Sequence, residues 1–222
     1  VDLYRTGEAD YVRVVDYKTG QREFRLSEVL EGINLQMLIY LLSLWQNGEE
    51  RYGRVTPAGV LYLPAKLPVV HLSRDADAAA LEREQLLTMK MNGLILDDPE
   101  IVQAMEADAA GLFIPARLDK KTGRLAAGAS VASLRQFGLL KLKIQKILSS
   151  MAETLRRGDV AALPAAGAVD GCEYCDYRAV CGHEPDDPVR VIARLDAAQA
   201  MQELEKETEE TEGVPDGGHT PV

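Results

Sequence analysis

Residues 12–40 constrain this chain most. They read VRVVDYKTG, a short connector, then GINLQMLIYLL. The first run is β-branched and short, which suits a strand. The second is long and apolar almost all round, which suits a helix in a core. Ala58–Leu63, AGVLYL, is a short apolar run between turn signals, closed by Pro64, and reads as a buried strand. Strand, long helix and strand make a crossover between parallel strands. The expected class is therefore α/β, a small mixed sheet flanked by helices on both sides.

The first strand ends in chemistry. Side chains alternate along a strand, so Asp16 and Lys18 project to one side and Tyr17 to the other. A carboxylate beside an ammonium at the end of a buried strand is costly unless the two are paired or used. Hydrolysis of a phosphodiester uses both groups, the carboxylate to hold a divalent ion and the lysine to stabilise charge or orient water. An Asp-x-Lys alone marks a surface ion pair as readily as a site. Here the following helix adds Gln36 and Tyr40, spaced i, i+4 and so on one face. Two polar groups on so apolar a helix are expected to point at the Asp16–Lys18 pair.

Charge is unevenly spread. The net value of −10 suits nucleic acid poorly, but residues 117–157 hold ten cations against Asp119 and Glu153. Val131–Arg157 is expected to be the longest helix, with an apolar stripe of Leu134, Phe137, Leu140, Ile144, Ile147, Leu148, Met151 and Leu155. Arg135, Lys143, Lys146 and Arg157 fall on its other face, either a solvated face or a wall that tracks phosphates. Three cysteines, Cys172, Cys175 and Cys181, lie in a C-x2-C-x5-C spacing. An odd number so close together points to a soft metal and to the cytoplasm rather than to disulfides. The spacing leaves the metal open, and His183 is a candidate fourth ligand for zinc.

Elsewhere the reading is plainer. Strands are expected at Leu3–Tyr4 and Tyr11–Val15, joined by a turn at Thr6-Gly7-Glu8. The helix is expected to run from Ser27 to about Trp45, and an edge strand at Val69–Leu72, where His71 is an ordinary half-exposed residue. Helices follow at Asp75–Met91, stopped by Asn92-Gly93, and at Pro99–Ala107, capped by Asp97 or Asp98. Gly111–Gly128 is expected to be irregular, with a turn at Lys120-Lys121-Thr122-Gly123, and Ala161–Gly171 reads as a linker. Arg190–Leu204 is a further helix and Glu205–Val222 an acidic, disordered tail. No run of about 18 apolar residues exists to span a membrane. Neither a signal peptide nor a P-loop is seen, and the abrupt start at Val1 without Met suggests a piece of a longer protein.

VVDYKTG followed by LQMLIYL resembles the RecB-type branch of the PD-(D/E)xK nucleases, whose Asp-x-Lys strand is followed by a helix with Gln-x-x-x-Tyr. With the cysteine motif included, residues 1–185 are similar to the C-terminal nuclease domain of the AddB type, found in bacterial ATP-dependent helicase–nucleases. The 186–204 helix and the 205–222 tail would then lie outside that domain. The resemblance implies a metal-dependent DNA exonuclease that works with an AddA-like partner subunit on double-stranded ends and single strands. Its role would be double-strand break repair and recombination, trimming the 5′-ended strand. It implies Mg²⁺ held by Asp16 and the Tyr17 carbonyl, with Lys18, Gln36 and Tyr40 in the site. It also implies a [4Fe–4S] cluster on Cys172, Cys175 and Cys181 as a structural staple.

The chain departs from that pattern in one respect. The family's second metal-binding aspartate lies in a G-x-I-D-R-V-D strand, and Val1-Asp2 matches its last two residues. The ligand would precede residue 1, as would an upstream histidine and the fourth cysteine, so this chain alone is expected to bind Mg²⁺ weakly and cut poorly. Two other readings are an iron–sulfur exonuclease of the CRISPR-associated type and a nuclease-inactive scaffold that binds DNA or a partner.

Overall fold

The computed structural model describes residues 1–20, 23–65, 69–75 and 77–212, with side chains as far as residue 207. The chain forms two compact units, Val1–Phe24 with Leu35–Phe137, and Arg25–Asn34 with Gly138–Val222.

The first unit is built on a mixed sheet. Strand β1 (Asp2–Arg5) turns back through Thr6, whose hydroxyl oxygen accepts from the Ala9 N–H at 2.9 Å, into β2 (Asp10–Lys18). The helix expected from Ser27 to Trp45 is instead two, α1 (Leu26–Leu30) and α2 (Gln36–Asn47). Two residues with positive φ break it, Gly32 at +79° and Asn34 at +58°. Asn34 donates its side-chain amide to the buried Glu28 carboxylate, and the Ile33 N–H reaches the Glu28 carbonyl at 2.8 Å. These local bonds replace helical ones. Helix α3 (Glu49–Tyr52) then leads into β3 (Val55–Pro64).

Beyond β3 the sequence was harder to read. Val69–Leu72 forms no strand, and His71 is exposed. The helix expected over Asp75–Met91 is the shorter α4 (Ala78–Thr88), capped by Asp77, and Ala76 lies outside the described residues. Asn92-Gly93 stops no helix. It opens β4 (Asn92–Leu96), which the sequence reading missed. Helix α5 (Pro99–Met105) is capped by Asp98, as expected. A two-residue strand, β5 (Val131–Ala132), takes the start of the expected long helix. That helix, α6 (Leu134–Arg156), begins later because Ser133 and Gln136 close a reciprocal capping box, at 2.8 Å and 3.2 Å.

The strand order is β1-β2-β3-β4-β5. β1 and β2 are antiparallel, β2 and β3 parallel, β3 and β4 antiparallel, and β4 and β5 parallel. The parallel β2–β3 pair is the expected crossover product and sets Asp16 opposite Tyr62. A bulge in this pair, between Val12 and Arg13, falls beside Gly59, whose φ of +146° leaves no room for a side chain against the Leu94 carbonyl. Helix α2 packs on β2 and β3 through buried Met37, Leu38, Leu41 and Leu42. Leu61 and Ile95 meet Val102, Ala109, Ile114 and Ala116 in another cluster, which Val15 joins. Each such fully buried aliphatic side chain stabilises the fold by about 1.5–3 kcal/mol.

In the second unit, the expected linker Ala161–Gly171 contains β6 (Ala165–Gly167). It pairs in parallel with β7 (Arg190–Ile192), so the helix expected from Arg190 begins later. Between them α7 (Arg178–Cys181) carries part of the cysteine motif. Helix α8 (Ala197–Glu212) packs against α1 and buries Ala200, Met201 and Leu204. It carries on through Glu205–Glu212, where an unstructured tail was expected, and residues 213–222 lie outside the described residues. Of the stripe expected on α6, Phe137, Leu140 and Ile144 are buried, whereas Leu148, Met151 and Leu155 are exposed. The periodicity is present, but the core ends before the helix does.

Candidate metal and phosphodiester site

Val12 and Val14 are buried on one face of β2, and two residues further along the same face turns polar, at Asp16 and Lys18. The expected pairing is present. The Lys18 ammonium forms an ion pair with Asp16 Oδ2, and the two side chains are 30% and 32% exposed. Oδ2 itself is buried, and no hydrogen bond of ordinary geometry reaches it. An oxygen so placed has unused acceptor capacity. The Lys18 Nζ also lies 5.5 Å from the centre of the buried Tyr62 ring.

The strand edge adds a second donor. The Lys18 carbonyl accepts from the Ala65 N–H at 2.8 Å, on the β3 side. Successive carbonyls of a strand face opposite edges, so the Tyr17 carbonyl faces the other edge. There β1 pairs only as far along β2 as Arg13 among the described residues. A carboxylate oxygen and an open-edge carbonyl are hard oxygen donors of the kind that Mg²⁺ takes. They make part of a shell. Among the described residues no group of three or more His, Cys, Asp or Glu gathers to hold a metal ion. Asp2 adds nothing to it, being spent on Arg13 Nε at 2.9 Å.

Gln36 and Tyr40 do share a face of α2, and Gln36 Nε2 donates to the Tyr40 hydroxyl at 3.1 Å. That face is the exposed one. Among the described residues no hydrogen bond or ion pair joins them to Asp16 or Lys18. Tyr17 is likewise exposed. The sequence reading missed Tyr62, although a tyrosine inside the apolar run AGVLYL was a signal that one ring in that strand has a polar neighbour.

The cysteine motif sits in a loop closed at its base by β6 and β7. Cys172 is half-buried, Cys175 and Cys181 are exposed, and all three are free thiols. A His183 ring nitrogen lies 3.4 Å from the Pro188 carbonyl, and no Cys3His site is formed. The donor chemistry suits a soft metal, but three ungathered thiols do not fit a four-iron cluster, which takes four thiolates.

The four candidate DNA-binding residues are dispersed. Arg135 lies in the first turn of α6 and Arg157 just past its end, both exposed. Lys146 is exposed, but Lys143 is held by both oxygens of Glu207, at 2.8 Å and 2.5 Å.

Comparison with known proteins matches residues 1–182 to a family described as the PD-(D/E)XK nuclease superfamily. The chain is 36% identical over 199 residues to the B subunit of the ATP-dependent helicase/deoxyribonuclease of Symbiobacterium thermophilum, covering 87% of this chain and 17% of that protein. It is 34% identical over 218 residues to the protein of the same name from Clostridium novyi, covering 95% and 19%. With that of Thermoanaerobacter sp. it shares 32% over 187 residues, 83% and 16%. The chain thus spans less than a fifth of the length of these relatives.

Proposed function

Since this chain belongs to the PD-(D/E)XK nuclease superfamily, we propose that it is the nuclease domain of a helicase–nuclease subunit, hydrolysing DNA phosphodiesters. The observation that carries the reading is the Asp16–Lys18 pair at the end of β2, with its unsatisfied carboxylate oxygen. In this reading Asp16 and the Tyr17 carbonyl would hold Mg²⁺. Bound there, Mg²⁺ lowers the pKa of a water and neutralises phosphate charge. Lys18, released from Asp16, places its ammonium on the phosphate as charge develops. Gln36 and Tyr40, on the exposed face of α2, contact the strand being cut.

The sheet register supports a further ligand outside the chain. Asp2 pairs with Arg13 and Leu3 with Val12. Carried upstream, the same register sets the second residue before Val1 opposite Asp16, where the superfamily's other aspartate falls. Cys172, Cys175 and Cys181 are then three of the four thiolates of a [4Fe–4S] staple that takes its fourth from outside this chain and has no part in hydrolysis. The names of the relatives support the rest of the assignment: an AddA-like helicase partner, a substrate of DNA ends in the cytoplasm, trimming of the 5′-ended strand and a role in double-strand break repair. Arg135, Lys143, Lys146 and Arg157 would contact the backbone. Among the described residues no helix is long and apolar enough to cross a membrane.

The test is Mg²⁺-dependent cleavage of linear DNA by a chain extended upstream, together with its Asp16→Asn variant. Cleavage and Mg²⁺ affinity should fall together in the variant. A variant that cuts normally would remove Asp16 from the site.

A further inference from the structure

In the second unit, α6 and the turn after α1 enclose an open cavity of about 320 Å³ lined by Lys143, Lys146, Ser150, Glu31 and Arg190 over an apolar floor. Lys143, Lys146 and Ser150 are spaced to share one face of α6. Arg190 comes from β7 and is fixed by a 2.9 Å bond from its Nη1 to the Glu31 carbonyl, which leaves further guanidinium N–H donors. Three cations and a hydroxyl thus face a single lining carboxylate, that of Glu31. Lys146 has no ion pair among the described residues. Lys143 is only 18% exposed and is held by Glu207 of the acidic helix α8, which is itself 42% exposed. An ion pair half open to water is weak and readily exchanged.

We propose that this cavity seats one backbone phosphate of a bound DNA strand, and that Glu207 holds Lys143 in the phosphate's place until the strand arrives. The proposal rests on the nuclease reading above and adds Arg190 and Glu207, which that reading does not use. Arg and Lys with a hydroxyl form the donor set that takes phosphate oxygens. A polyanion suits the surroundings better than a small anion, because residues 117–157 hold ten cations against two acids.

The experiment measures binding of a labelled single-stranded oligonucleotide to this chain by fluorescence anisotropy, in EDTA and across a salt series. Lys146→Gln changes an exposed side chain and should leave the fold intact. It should weaken binding severalfold and reduce the slope of log K against log salt by about 0.7, the share of one phosphate on a single strand. Glu207→Gln should tighten binding, and that gain should vanish in the Lys143→Gln background. The double variant separates competition from loosening of α8, since a loosened helix acts whether or not Lys143 is present. Wild-type affinity and slope in Lys146→Gln, or a Glu207→Gln gain that persists without Lys143, would overturn the proposal. So would inorganic phosphate binding as tightly as the oligonucleotide, which would make the seat one for a small anion. None of these readouts involves cleavage, so their failure leaves the nuclease reading standing, and a failure of Asp16→Asn to affect cleavage does not touch them.

Discussion

The Lys18 ammonium stands 5.5 Å from the centre of the Tyr62 ring, and Tyr62 is also the residue opposite Asp16 across the parallel β2–β3 register. One buried ring therefore backs both members of the candidate catalytic pair. A cation over an aromatic face is stabilised by about 0.5–2 kcal/mol, more as water is excluded. When Lys18 leaves Asp16 for a phosphate, the ring keeps the ammonium in place. Tyr62→Phe, which retains the ring, should cleave within about twofold of the parent, and Tyr62→Leu should lose roughly fivefold in kcat with little change in KM. Equal losses in the two variants would show that the ring has no part in placing Lys18.

Gly32 is required twice over. Its φ of +79° is strained for any side chain, and an added Cβ would lie 2.9 Å from Met151 Cε and 3.2 Å from the Ile147 side chain. Gly123 has a similar φ, +66°, but open space around it. Gly123→Ala should cost about 1 kcal/mol from backbone strain alone. Gly32→Ala should cost more, because α6 must also shift to admit the methyl group. Urea denaturation midpoints of the two variants test the order, and equal midpoints would show that the close approach is absent.

The turn at Asp119 is sensitive to acid in a defined direction. The Thr122 and Lys121 N–H groups donate to its carboxylate, at 2.9 Å and 2.8 Å, and hold it below the ordinary value of 3.8. A carboxyl with a depressed folded value contributes stability that is fully present above 3.8 and is lost as pH falls through the lower folded value. In an NMR titration, the Lys121 and Thr122 amide shifts should therefore turn over below pH 3.8. A midpoint at or above that value would contradict the bonding.

What was legible in the sequence was what local chemistry decides. β2, the turn at Thr6 and the Asp98 cap follow from alternation, turn residues and capping, and the Asp16–Lys18 pair follows from strand geometry. The parallel placement of β3 follows from the long crossover. β4 and β5 were illegible because Asn92-Gly93 is a turn signal and Val131–Ala132 is too short for a period, so tertiary pairing decides both. The break after α1 depends on Asn34 meeting Glu28, a contact no periodicity announces. The exposed position of Gln36 and Tyr40 was missed because a helix of near-uniform hydrophobicity does not show which side its core will take. Tyr62 was missed for the opposite reason, since an apolar strand hides the one ring that meets a charge. Glu207 on Lys143 joins residues 64 apart in the chain, and neither charge pattern alone foretells it.

The most direct test of the central claim is the Lys18→Ala variant of a chain extended upstream, assayed for Mg²⁺-dependent cleavage of linear DNA under single-turnover conditions. If Lys18 stabilises charge on the phosphate, the rate should fall by about 10²–10³ while Mg²⁺ still binds. Cleavage at the parent rate would contradict the account, and the Asp16–Lys18 pair would then be a structural ion pair.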